Sequence, residues 1–177
     1  MKKSPSRPKL KLRYKTISRD QIDQVRPLWE ALNRYHTKRS IHFSKFFETF
    51  TFEQRLKKYK SRSVTVRIDL ALVSGSGGKG AKERAVGVCL SSYDGRKEGR
   101  LDTIYVEPRF RGLGIGSAMM KRALKWFDAS GVKGRSVSVL FGNEDVFPFY
   151  SRFGFYPMRY TMLTKGKVTN RPAKNKR

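Results

Sequence analysis

The chain has 177 residues, 38% of them hydrophobic and 12% aromatic, which excludes a disordered polymer and suffices for one substantial core. Its net charge of +26 exceeds what one anionic ligand calls for and points toward phosphate-rich partners, nucleic acid or the ribosome. The single cysteine, Cys89, excludes an intrachain disulfide, and no apolar run approaches the ~20 residues of a membrane span. No apolar stretch follows the charged residues 1–8, so no secretory signal is expected, and a reducing cytoplasmic location is.

In chain order, residues 1–9 read as a flexible basic arm, residues 10–164 as one domain and residues 165–177 as a basic tail. Residues 1–15 carry seven Lys/Arg and residues 165–177 carry six, with no acid in either. Leu10, Leu12 and Tyr14 alternate with basic residues and predict a first strand over 10–17. Ser18-x-x-Gln21 has the form of a capping box. Behind it Ile22, Val25, Leu28, Trp29, Leu32 and Tyr35 step at helical spacing, with Pro27 as a kink or a second start. Residues 43–60 read as a second helix with an aromatic stripe of Phe43, Phe46, Phe47 and Phe50, followed by Leu56 and Tyr59. Core packing is the favoured role for that stripe. His36 and His42 lie near the intervening turn without neighbouring cysteines or acids, so no metal site is expected.

Val64, Val66, Ile68, Leu70 and Leu72 alternate cleanly, which predicts a half-buried strand over 63–73. A glycine-rich loop at 74–80 leads to a partner strand over 84–93, where Cys89 reads as a small buried hydrophobe. Asp94-Gly95 and the residues to Gly99 form the next turn, and 101–106 is the third strand of an antiparallel meander. Residues 117–128 follow as an amphipathic helix, with Met119, Met120, Ala123, Leu124 and Phe127 on one face, ended by Gly131 and Gly134. A strand over 135–141 returns parallel to 101–106 by a strand–helix–strand crossover. A short helix over 144–152 and a closing strand over 155–163 complete the domain.

The most informative stretch is 104–116. It joins an apolar strand, a proline break, an arginine and alternate glycines to a helix, a combination that makes an anion cradle. A Walker loop does not fit, because Ile115-Gly116-Ser117 has no lysine. The dinucleotide fingerprint fits poorly too: it wants Gly or Ala where Ser117 stands and an acid about 20 positions on, where residues 131–138 have none.

Arg111 to Gly116 has the form Arg-x-x-Gly-x-Gly and is preceded by Val-x-Pro. It resembles the acetyl-CoA pyrophosphate loop of the GNAT superfamily of N-acetyltransferases. Asn143, followed by Phe149-Tyr150-x-x-x-Gly154-Phe155, resembles that family's C-terminal box. The element order β-α-α-β-β-β-α-β-α-β is the family's as well. The resemblance is firm over 84–160 and only topological before, and Pro148 departs from the small residue common there.

That resemblance implies an α/β (α+β) GNAT fold, a mixed and mostly antiparallel central sheet flanked by helices, with acetyl-CoA as cosubstrate. Backbone groups of Ile104, Tyr105 and Val106 would pair with the pantetheine arm where strands 101–106 and 135–141 splay. Backbone N–H groups of Arg111, Gly112, Leu113, Gly114, Ile115, Gly116 and Ser117 would hold the pyrophosphate, and Asn143 would contact the cofactor through its amide. Tyr150, a phenol of pKa ~10, would protonate the departing thiolate. A backbone N–H near Val106 would meet the oxyanion. Asp102 stands where similar enzymes often carry a strand glutamate and is the candidate base, acting through a water, whereas Glu107 is expected to face solvent. The helix over 43–60 would resemble the wall of the acceptor site. The acceptor is a primary amine that the sequence does not identify, and many similar proteins form homodimers. The alternative is a catalytically silent module of this fold that binds nucleic acid or ribosomes through its basic surface. The intact loop and Tyr150 favour the enzyme.

Overall fold

The computed structural model describes residues 11–60, 63–74 and 83–164. The basic arm, most of the glycine-rich loop and the basic tail read from the sequence lie outside the described residues. The chain forms two compact units, Met1–Ala31 with Phe52–Ser138, and Leu32–Thr51 with Val139–Arg177.

The first unit is built on a sheet of five strands: β1 (Leu12–Ile17), β2 (Thr65–Ser74), β3 (Glu83–Tyr93), β4 (Glu98–Val106) and β5 (Gly134–Val137). They lie side by side in sequence order, antiparallel except for the parallel β4–β5 pair that the crossover predicts. The crossover helix α4 (Ile115–Ala129) buries Ile115, Met119, Met120, Ala123 and Phe127 and packs on β2, β3 and β4. Gly99 of β4 makes room for that packing, since a Cβ there would stand 2.6 Å from Val132 Cγ1 and 3.1 Å from Phe127. Further core residues are Ile22 and Val25 from a 3-10 turn (Arg19–Val25), Trp29, and Phe52 and Tyr59 of α3 (Phe52–Lys60). The Trp29 and Phe52 rings lie 5.5 Å apart. The expected capping box is present, with the Ser18 N–H donating to Gln21 Oε1 at 3.4 Å. Cys89 is buried, and burial pushes its thiol up to about 12.

A buried carboxylate joins β1, β2 and α4. Asp69 is 1% exposed and accepts hydrogen bonds from Thr16 Oγ1 at 2.7 Å, Arg67 Nε at 2.6 Å and Arg122 Nη2 at 3.0 Å. Burial alone would raise its pKa, but the hydrogen bonds from Arg67, Thr16 and Arg122 outweigh that and hold the carboxyl below its ordinary value.

The boundary between the units falls within α1 (Arg26–Arg39). Pro27 occupies its first turn, where a missing N–H costs nothing. The second unit holds the end of α1, α2 (Ser44–Thr49), a 3-10 turn (Glu144–Val146) and α5 (Phe147–Ser151). Pro148 likewise sits in the first turn of α5.

Three predicted elements differ. The single helix over 43–60 is two helices, because the chain turns extended at Phe50 (φ −79°, ψ 107°). The cause lies outside the segment: the Asn33 amide donates to the carbonyls of Phe47 at 2.6 Å and Phe50 at 3.3 Å, supplying bonds that a continued helix would have made. The strand over 135–141 ends at Val137. The closing strand over 155–163 is absent: 155–164 carries no ladder among the described residues, and Pro157 cannot donate to one. The result is a mixed α/β fold with a five-stranded, mostly antiparallel sheet flanked by helices. No helix among the described residues is long and apolar enough to cross a membrane.

Candidate active site

Pairing of β4 with β5 ends at Leu101↔Val137, whereas pairing with β3 continues to Val106↔Gly87. From Asp102 to Val106 the β5-side edge of β4 is therefore left without a ladder partner among the described residues. That is where the sequence places the strand-like contacts of Ile104, Tyr105 and Val106. Next comes a 3-10 turn (Pro108–Phe110), closed by the Arg111 N–H to the Pro108 carbonyl at 3.1 Å. The Arg111 side chain reaches back, its Nε donating to the Val106 carbonyl at 3.0 Å, which ties the loop to the end of β4. Glu107, expected to face solvent, is partly exposed and ion-paired. It is held by Arg84 and by Arg109 at 3.3 Å, with 21% of its side chain exposed.

Gly112 and Gly114 both have φ +76°, a conformation open to glycine and strained for other residues. A Cβ on either would meet nothing within 4 Å, so the space over the loop is open. Gly114 is the N-cap of α4, and the Ala118 N–H donates to the Gly114 carbonyl at 3.0 Å. The N–H groups of Ile115, Gly116 and Ser117 precede that first bond of the helix ladder. The first turn holds no acid to take them, while Leu113 turns its side chain outward, 52% exposed. Converging N–H groups, the positive end of a 15-residue helix and open space suit a diphosphate. Gly114→Ala is expected to cost about 1–2 kcal/mol by backbone strain alone. Thermal unfolding checks this, and an unchanged melting temperature would show that the loop tolerates a side chain.

Asp102 lies in a β-bulge. Leu101 pairs with Ser91 and Thr103 with Leu90, so Asp102 is the extra residue. Its carboxylate is ion-paired with Lys58 of α3, accepts a hydrogen bond from Ser92 of β3, and has 5% side-chain exposure. Arg55, one turn before Lys58, donates to the Asp102 carbonyl at 2.5 Å and to Thr103 Oγ1 at 3.2 Å. Lys58 keeps 32% of its side chain exposed. Burial lowers its pKa, and Asp102 opposes that shift. Tyr59 is buried beside Arg55 and Asp102, and burial raises its pKa. Sequence reasoning missed Lys58, Arg55 and Ser92. Their only signal is the helical spacing that sets Arg55 and Lys58 on one face.

Asn143 and Tyr150 belong to the second unit. Asn143 Oδ1 accepts a hydrogen bond from the Tyr35 hydroxyl at 3.1 Å. Beside it, Arg39 Nε donates to the Gly142 carbonyl at 2.8 Å, and Arg39 pairs with Asp145 at 3.2 Å. The Asn143 loop is thus pinned to α1. Gly142 is required there, since at φ +89° a Cβ would stand 2.7 Å from the Arg39 carbonyl oxygen. Tyr35, read from the sequence as a position on the apolar face of a helix, is the further residue at this site. Tyr150 of α5 is 9% exposed, with its ring 5.2 Å from Phe149 and 6.4 Å from Phe155. Its carbonyl accepts from the N–H groups of Phe153 at 2.9 Å and Phe155 at 3.2 Å. His36 packs against Phe47 and His42 against Phe141, and no cluster suited to a metal ion occurs among the described residues.

Residues 28–155 match the sequence profile of the acetyltransferase (GNAT) family. An uncharacterised N-acetyltransferase of Methanocaldococcus jannaschii is 32% identical over 66 residues, which make up 37% of this chain and only 29% of that relative. Among solved structures, an acetyltransferase of the GNAT family from Staphylococcus aureus Mu50 is 12% identical with a TM-score of 0.64, over 90% of this chain and 93% of the other. The aminoglycoside N-acetyltransferase AAC(6')-Iy, solved with CoA, is 13% identical with a TM-score of 0.59, over 90% of this chain and 97% of that one. At such identities the structural likeness is one of fold, while the profile covers most of the chain. The cradle and the profile agree: the chain belongs to the acetyltransferase (GNAT) family, and acetyl-CoA is the cosubstrate that goes with it.

Proposed function

We propose that the protein is an acetyl-CoA-dependent N-acetyltransferase that passes the acetyl group to a primary amine by direct attack. The observation that carries this reading is the cradle: Gly112 and Gly114 at φ +76° beneath open space, leading into the uncapped start of α4. Acetyl-CoA supplies the activated acetyl thioester. The N–H groups of residues 112–117 hold its diphosphate, the Arg111 N–H being engaged by the Pro108 carbonyl, and the edge of β4 over Ile104–Val106 that β5 does not pair holds its amide-bearing arm as an added strand would. Asn143, its Oδ1 engaged by Tyr35, offers its two N–H donors to the cosubstrate.

Tyr150 donates its phenolic proton to the sulfur as the C–S bond breaks. The backbone N–H near Val106 faces the oxygen that becomes negative. The amine must lose a proton, and Asp102 was the expected acceptor. With its oxygens engaged by Lys58 and Ser92, Asp102 takes that proton through an intervening water rather than by direct contact with the amine. The acceptor is a single amine on a neutral or acidic carrier, since a chain of net charge +26 repels polyamines and other polycations.

Titration calorimetry with coenzyme A tests the reading: saturable binding is expected, and its absence overturns the proposal. Turnover of acetyl-CoA over peptides, aminoacyl-tRNA and small amines then identifies the acceptor.

A further inference from the structure

The cluster at the bulge of β4 is short of negative charge. Asp102 supplies a carboxylate, but one of its oxygens is taken by the Lys58 ammonium and the other by the Ser92 hydroxyl. Arg55 stands on the same face of α3, its Nη2 bonded to the Asp102 carbonyl and to Thr103 Oγ1, its Nε buried without a hydrogen-bond partner. Arg100, two residues before Asp102 in β4, is a third cation whose field reaches Lys58, and it is offset only by Asp94 at 3.7 Å. Tyr59 of α3, buried beside Arg55 and Asp102, adds no charge, since burial raises its pKa. Three cations thus face two carboxylates, and the inner carboxylate is already engaged. Lys58 reports what this surrounding does to an amine: burial lowers its pKa even against the opposing pull of Asp102.

We infer that the acceptor is a weakly basic amine, of the α-amino class carried by a peptide N-terminus or an aminoacyl ester, and not the strongly basic ε-amine of a lysine. The inference rests on the acetyl-transfer reading, in which Asp102 takes the proton of the amine. In that step the nitrogen lone pair forms the C–N bond, the C–S bond breaks, and the sulfur leaves with its electron pair. An amine that arrives neutral gives up one proton, after attack; an ammonium must give up two, the first before it can attack at all. A bare carboxylate would draw in an ammonium and take that first proton. A net positive cluster repels it, and a carboxylate serving a cation and a hydroxyl has little left for a third donor. The amine must therefore come neutral. An α-amine with a pKa of about 7.7–8.0 is about 10% neutral at pH 7, whereas an ε-amine near 10.4 is neutral to only about 0.04%, a difference of about 300-fold.

The test gives the full chain two short peptides of otherwise neutral composition. One has a free N-terminus and no lysine; the other is blocked at its N-terminus and carries a single lysine. Their kcat/KM values are measured at saturating acetyl-CoA between about pH 7 and 9. The α-amine is expected to win by about 10²-fold or more at pH 7, and the ratio should fall about tenfold by pH 9 as the lysine loses its proton. Groups of the protein titrate alike for both peptides, so the ratio isolates the amine. Lys58→Met, which releases Asp102, should narrow the ratio at pH 7 about tenfold, and Lys58→Arg, which keeps the cation, should preserve it. Thermal unfolding checks that the methionine variant folds; if it does not, the wild-type pH series decides alone. Equal turnover of the two peptides at pH 7 overturns the inference. So does a ratio that ignores pH, which would make the preference one of shape, and so does a ratio that a folded Lys58→Met leaves unchanged. Failure of coenzyme A to bind in calorimetry sinks acetyl transfer itself. Coenzyme A binding with neither peptide nor an amino-acid ester acetylated overturns the inference alone.

Discussion

Tyr150→Phe is expected to lower kcat by about 10²-fold or more while leaving coenzyme A affinity nearly unchanged. The substitution is conservative in every respect but one. The ring keeps its contacts with Phe149 and Phe155, and the backbone carbonyl still accepts from Phe153 and Phe155. Only the hydroxyl is lost. A proton delivered to the departing sulfur is needed in the transition state and not for binding, so its loss belongs in kcat. Steady-state kinetics with calorimetry separates the alternatives. An equal fall in kcat and in coenzyme A affinity would make Tyr150 a binding residue. No fall in either would return it to packing.

The fold was legible where local chemistry decides. Strict alternation over 64–72 gave β2, and a sided apolar pattern gave α4. The glycines at 112 and 114 were readable because few other residues adopt φ +76° without strain. What was not legible depends on distant partners. Residues 43–60 carry an unbroken helical pattern, and the break at Phe50 is made by an amide at Asn33, 17 positions away. Residues 155–163 alternate as well as any strand in the chain, yet alternation says only that one face is apolar, not that a neighbour exists to pair with it. Asp102 could be nominated from its position before Val106. Its bulge, and its engagement by Lys58 44 residues earlier, follow from register and packing that no local pattern encodes.

Asp69→Ala is expected to cost about 3–5 kcal/mol. A carboxylate 1% exposed is tolerable only because Thr16, Arg67 and Arg122 surround it. Removing it leaves two guanidiniums facing each other without an anion. Arg67 and Arg122 keep 23% and 35% side-chain exposure, so water reaches part of each and the lower end of the range is the better expectation. The pH dependence identifies the cause. The folded carboxyl titrates below its unfolded value of about 3.9, so its contribution is complete above that pH and is lost as pH falls through the folded pKa. Urea unfolding should therefore show a constant gap between wild type and variant near neutrality that closes in acid. A gap equally wide well below the folded pKa would mean that lost packing, not charge, is responsible. Because Arg122 belongs to α4, the same substitution loosens the helix whose N-terminus forms the cradle. Coenzyme A should then bind the variant more weakly even though Asp69 lies 45 residues before Gly114 in the chain. Unchanged affinity in a destabilised variant would show that the cradle is held by β4 and Arg111 alone.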